Sequence, residues 1–192
     1  MTQMRMADPH DTIEPDDSHR SVMGNSGNPP DSVIFLHIPK CAGSTFTKVI
    51  SRQYPSGQTY HIAPGPDLQD SIRAFESLPE SEREDIKALW GHGVYGLHDY
   101  LPGVTEYVTL LRNPIDRLIS NYYYVRRSEE HRNYEAVRKM SLREYVTLTG
   151  PHNLMVRELT GRQVGPEEVD IGTFRQAKEN LNKHFGVVGL VD

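Results

Sequence analysis

The sequence has 192 residues, room for one domain and little more. Only 36% of them are hydrophobic, which is low for a compact enzyme, so part of the chain reads as lying outside any core. A formal net charge of −5 gives no overall pull toward nucleic acid or an anionic membrane, and the single cysteine, Cys41, excludes an intramolecular disulfide.

No run approaches the ~18–20 apolar residues that span a bilayer, and the N-terminus has no apolar segment after a basic start. As it stands, the sequence reads as a soluble, cytoplasmic protein. Residues 1–31 read as a disordered leader, with four prolines, clustered acids and a Gly-Asn-Ser-Gly-Asn stretch. Residues 32–192 read as the folded domain.

That domain opens with Ser32-Val33-Ile34-Phe35-Leu36-His37-Ile38, a nearly continuous apolar run suited to a buried parallel strand. Pro39 ends it. The loop Lys40-Cys41-Ala42-Gly43-Ser44-Thr45 follows, then a helix with Phe46, Val49 and Ile50 on one face. Residues 67–78 and 80–89 read as helices, the second with Ser81 and Glu84 spaced as a capping box. Thr105 to Leu111 is rich in β-formers. Asn113 and Pro114 suit the N-cap and first position of a helix, with Ile115, Leu118, Ile119 and Tyr122 at helical spacing. Ser141 and Glu144 open another helix, which Gly150-Pro151 ends, and Thr173 and Gln176 open a third. Phe185 to Leu190 is a further apolar strand. Strands alternating with helices predict an α/β fold with a parallel sheet.

Ligands of such sheets bind beyond the carboxyl ends of the strands. Two loops there carry anion-binding chemistry. In the first, small residues let backbone N–H groups approach an anion at a helix N-terminus, with Lys40 as a charge and Ser44 and Thr45 as hydroxyl donors. In the second, Arg112 ends a strand and Ser120 lies about two turns into the following helix. An ordinary strand–helix turn and a surface ion-pair arginine are the bland alternatives for each loop taken singly. The G-x-x-x-x-G-K-[ST] spacing of nucleoside-triphosphate loops is absent, as is the arginine a phosphatase loop built on Cys41 needs. Cys41 reads as a small packing residue. No metal motif is present: there is no H-E-x-x-H, and one cysteine cannot build a thiolate cage.

HIPKCAGST after one strand and LLRNPIDRLISNYYY after another together resemble the paired loops of sulfotransferases that use 3′-phosphoadenosine 5′-phosphosulfate (PAPS). The sequence is most similar to the family 2 carbohydrate sulfotransferases, which include the heparan sulfate and uronyl 2-O-sulfotransferases. Gly91 to His98, Asn153 to Gly161 and Phe185 to Leu190 fit the same pattern, so the likeness runs from about Val33 to Asp192. It implies a P-loop-like three-layer fold with a central parallel sheet, and PAPS as co-substrate without a metal. It implies a carbohydrate or other hydroxyl acceptor.

It also implies roles. Pro39, Lys40, Cys41, Ala42, Gly43, Ser44 and Thr45 would hold the 5′-phosphosulfate, and Arg112 and Ser120 the 3′-phosphate. Lys40 would also act catalytically on the bridging oxygen. His92 would be the base; His98, His37 and His61 are weaker candidates, His37 reading as structural within its strand. The basic residues between Arg112 and Arg143 read either as a surface for an anionic acceptor or, because acids are interleaved, as a solvated helix face. Family members continue beyond the strand that here ends at Asp192, so a C-terminal part is expected to be missing and an apolar strand face exposed. A membrane association would come with such a missing segment. The second reading is a catalytically weak or inactive nucleotide-binding remnant that serves as a binding module.

Overall fold

The computed structural model describes residues 29–64, 67–148, 152–161 and 169–192. Most of the expected leader, and the Gly150-Pro151 helix stop, lie outside the described residues. Five strands form one sheet: β1 (Ser32–Leu36), β2 (Thr59–Ile62), β3 (Ala88–Gly91), β4 (Thr105–Arg112) and β5 (Phe185–Val191). They lie in the order β2-β3-β1-β4-β5, and every neighbouring pair is parallel.

The three strands expected from the sequence are present. The other two correct it. Ala88 and Leu89, expected at the end of a helix, instead begin β3, which is fully buried along its length. The preceding helix α3 stops at Glu84 and begins after Pro79, so Ser81 and Glu84 form no capping box. β2 is a four-residue strand that pairs only with β3. Four-residue strands of this kind are set by the strands they pair with rather than by local propensity.

Alternation along the strands divides the core between two faces. Phe35, Ala88 and Trp90 point to one face and pack with Ile50 and Phe46 of α1 (Gly43–Gln53). Ile34, Leu36, Leu89 and Tyr107 point to the other. There they meet Phe75 of α2 (Leu68–Glu76), Leu159 of α7 (Leu154–Thr160) and Ala177 of α8 (Ile171–His184). The result is three layers, helix–sheet–helix. Val49, expected on the buried face of α1, is 47% exposed.

Between α4 (Pro114–Arg127) and α7 lie α5 (Tyr134–Val137) and α6 (Leu142–Leu148). Asn113 caps α4 as expected, its side-chain oxygen accepting from the Ile115 amide at 2.9 Å. Tyr122 and Val125 pack that helix against Val137 and Tyr145, while Ile115 faces solvent, contrary to the periodicity. Ser141 and Glu144 do form a capping box: the Ser141 amide donates to Glu144 Oε2 at 2.7 Å and the Glu144 amide to Ser141 Oγ at 3.2 Å. The last helix starts one turn earlier than Thr173, on Asp170, whose Oδ1 accepts from the Thr173 amide at 2.7 Å.

The topology fixes where a ligand belongs. β1 leaves the sheet through α1 on one face, whereas the connection from β4 to β5 passes α4 to α6 and then packs α7 and α8 on the other. β1 and β4 are neighbours, and their connections part to opposite faces beyond their carboxyl ends, the place where ligands of such sheets bind. The buried Thr109 hydroxyl donates to the Leu36 carbonyl at 2.9 Å and locks the two strands together just below it.

Candidate anion and nucleotide site

The β1–α1 loop is built from unusual backbone. Lys40 and Ala42 both have left-handed φ, 70° and 57°, which costs a non-glycine residue on the order of 1–2 kcal/mol. The Cys41 amide turns back onto the Ile38 carbonyl and the Thr45 amide onto that of Ala42. No such turn bond engages the amides of Ala42, Gly43 and Ser44 among the described residues. They stand at the start of α1, where first-turn amides have no carbonyl partner within the helix and no side chain caps it. Alternating backbone handedness at a helix N-terminus is anion-binding geometry.

Gly43 has a packing reason too. A Cβ there would fall 1.9 Å from His37 Cδ2, so the imidazole lies against the start of the helix.

The second loop reaches the first directly. Arg112, at the last position of β4, donates from Nη1 to the Lys40 carbonyl at 3.4 Å, while its Nε is buried without a partner. Arg117, Ser120, Tyr124 and Arg127 recur at three- and four-residue spacing along α4 and so form one stripe. Three of them face the loop. Lys40 Nζ sits 4.1 Å from the centroid of the Tyr124 ring, Arg127 acts on Lys40, and Arg117 acts on Cys41. Ser120, half-buried, lies within that stripe.

The electrostatics are one-sided. Burial lowers the Lys40 pKa, and the charges of Arg127 and Arg112 lower it further. None of the ion pairs among the described residues includes Lys40, Arg112 or Arg127. Three cations gathered without a carboxylate favour an incoming anion. Cys41 is buried, and burial raises its thiol pKa despite Arg117 and Arg112, two cations distant from it in sequence. It packs, as expected.

The histidines gather at the same edge. The His37 amide donates to the Gly91 carbonyl at 2.9 Å, and its ring stacks on His92 at 4.6 Å between centroids and on Phe35 at 5.7 Å. His37 therefore lies just past β1, within the site rather than inside a strand. Burial lowers its pKa to about 4, helped by His92 and His61. Burial also lowers the His92 pKa, while a hydrogen bond with the His37 backbone acts the other way. His92 Nδ1 is buried without a partner. His61, on β2, stacks on Trp90.

His98 sits elsewhere, with Nδ1 3.0 Å from the Tyr107 hydroxyl and its ring 4.6 Å from that of His184. Tyr107 is five residues before Arg112 on β4, about 17 Å along the strand.

The basic stretch divides. Arg117 is buried, Arg138 pairs with Glu135 at 2.9 Å, and Arg126 lies over Tyr122. Of the described residues in this stretch, Arg112 and Arg127 act on Lys40. Sequence reasoning missed the roles of Arg117, Tyr124 and Arg127; their common helical stripe with Ser120 was the signal available. It also missed Glu158, whose Oε2 accepts from the Gly93 amide at 2.7 Å.

Comparison with known proteins agrees with this geometry. A model described as "Sulfotransferase family" matches residues 27–185. Heparan sulfate 2-O-sulfotransferase 1 of Xenopus laevis is 29% identical over 112 residues, covering 52% of this chain and 31% of that protein. The Homo sapiens and Gallus gallus proteins of the same name are each 28% identical over the same length and shares. The chain thus spans about a third of the length of the curated relatives it matches. With the family match extending over most of its length and both loops within it, the chain belongs to the sulfotransferase family.

Proposed function

We propose that the protein transfers a sulfuryl group from PAPS to a hydroxyl of a carbohydrate or related acceptor. One observation carries this reading. Lys40, Arg112 and Arg127 converge on a left-handed loop at a helix N-terminus, and among the described residues no ion pair joins them to a carboxylate.

The residues fit a nucleotide with two separated phosphates. Pro39 to Thr45 would hold the 5′-phosphate end, chiefly through the amides of Ala42, Gly43 and Ser44 with the exposed Ser44 and Thr45 hydroxyls. Arg112, whose buried Nε lacks a partner, would hold the 3′-phosphate together with Ser120. When bound, PAPS supplies the sulfuryl group, with adenosine 3′,5′-bisphosphate as the leaving product.

Lys40 places positive charge where the oxygen linking phosphate and sulfate gains negative charge, so its effect is larger in the transition state than before it. His92 takes the proton of the acceptor hydroxyl. Its lowered pKa keeps it neutral, and able to accept, at neutral pH. His37 stacks on it and fixes the ring plane.

The acceptor class follows the relatives, whose name gives heparan sulfate as their substrate. The test is transfer of labelled sulfate from PAPS to heparan-type polysaccharide and to a panel of small hydroxyl acceptors. Label in an acceptor, abolished by Lys40→Ala, is the expected result. Tight nucleotide binding with no transfer to any acceptor would instead favour a binding module.

A further inference from the structure

We infer that Glu158 is a positioning residue that holds the His92 turn against the anion loop. The inference rests on the reading of His92 as the base.

Glu158 lies on α7, in a different layer from the loops it serves. Its Oε2 accepts from the Gly93 amide at 2.7 Å, one residue past His92. Gly93 has left-handed φ, 62°, so the turn adopts a conformation that the amide bond to Glu158 helps to hold. Burial raises the Glu158 pKa, while the Gly93 hydrogen bond and the charges of Arg157 and Arg117 oppose that rise.

The helix meets the turn a second time, where a Cβ at Gly161 would fall 2.7 Å from the Tyr95 carbonyl. It is anchored behind by Asn180 of α8, whose side-chain amide donates to the Leu159 carbonyl at 2.8 Å. α7 is thus a fixed buttress, and Glu158 is its hydrogen bond to the turn that bears the base. Arg117, close enough that each favours the other's charged form, ties the same carboxylate to the stripe facing Cys41 and Lys40. The groups facing His92 are His37 beyond β1 and His61 on β2, with Glu158 acting through Gly93 and Arg117 behind it.

Two substitutions separate reach from charge. Glu158→Gln keeps the length and offers a carbonyl oxygen to Gly93 but removes the charge beside Arg117. Glu158→Asp keeps the charge but withdraws the carboxylate by about 1.5 Å, one carbon–carbon bond. If Glu158 positions the turn, Asp lowers kcat about 10–100-fold while Gln stays within about threefold of wild type. Adenosine 3′,5′-bisphosphate affinity stays within about threefold in both.

An acceptor-independent readout is the pH midpoint of the His92 imidazole NMR signal, identified by its absence in His92→Ala. It stays below the ordinary value of about 6.5 in wild type and Gln and rises toward it in Asp. The reverse order, with Asp intact and Gln impaired, would assign Glu158 to charge balance and overturn the inference. So would equal behaviour of the two variants, or loss of nucleotide binding in step with kcat. His92→Ala in the same assays isolates the underlying reading. A near-normal rate there removes His92 as base, whereas an inactive His92→Ala beside a normal Glu158→Asp overturns the positioning role alone.

Discussion

Gly43→Ala probes how tightly the anion loop and the histidine pair are built into one another. The added methyl would lie 1.9 Å from His37 Cδ2 and 2.3 Å from Nε2, far inside contact distance. An imidazole free to swing would yield cheaply. This one is held between Phe35 and His92, so both it and the start of α1 must give. Overpacking of this kind costs about 1–3 kcal/mol, read as a loss of unfolding free energy in denaturant. Because the displaced helix start carries the free amides, affinity for adenosine 3′,5′-bisphosphate should fall about tenfold, or about 1.4 kcal/mol. Gly57→Ala, with nothing within 4 Å of its new Cβ, is the control and should change stability by under about 0.5 kcal/mol. The decisive arm is the double-mutant cycle with His37→Ala. Removing the ring makes room, so Gly43→Ala should cost at least about 1 kcal/mol less in that background. An equal cost in both backgrounds would refute the proposed clash and the packing of His37 against the helix.

The same geometry sets the outcomes of further substitutions and of a change in pH. Lys40→Ala should lower kcat about 10²–10³-fold with a smaller effect on nucleotide affinity, whereas Arg112→Ala should weaken nucleotide binding about 10–100-fold; steady-state kinetics beside calorimetry separate the two. His92→Ala should lose about 10²–10⁴ in kcat. In wild type the rate should fall as pH drops through the His92 pKa, and burial places that fall below about 6.5; an acid limb centred at or above 6.5 would contradict the buried neutral base. Tyr107→Phe should cost about 1–3 kcal/mol by thermal or denaturant unfolding, because the hydroxyl receives the Gly96 and His98 amides at 3.0 and 3.3 Å and itself donates to the Val94 carbonyl.

The sequence made the ends of the site legible and concealed its walls. The β1 run, the β4 run and the Asn113-Pro114 helix start are local signals, so the two loops they frame were readable, and the structure joins them through Arg112 and Lys40. β2 and β3 were not readable. Four residues carry little periodicity, and Ala88-Leu89-Trp90-Gly91 becomes a strand because β1 and β2 pair with it on either side. Arg117 sits among charges in the sequence and reads as surface. It is buried because the chain returns with α7, some forty residues later, and sets Glu158 near it. The same long-range return explains the missed Gly93–Glu158 bond. Val187, Val188 and Leu190 of β5 are 57%, 41% and 83% exposed, so this strand turns apolar side chains to solvent.

The two loops beyond β1 and β4 are proposed to hold a nucleotide phosphorylated at both the 3′ and 5′ positions. Calorimetric titration with adenosine 3′,5′-bisphosphate, with ATP as comparator, tests this most directly. One-to-one binding of the bisphosphate is expected, with ATP weaker by about tenfold or more and that preference erased by Arg112→Ala as the 3′-phosphate loses its guanidinium. No binding, or equal binding of the two nucleotides in wild type, would contradict it.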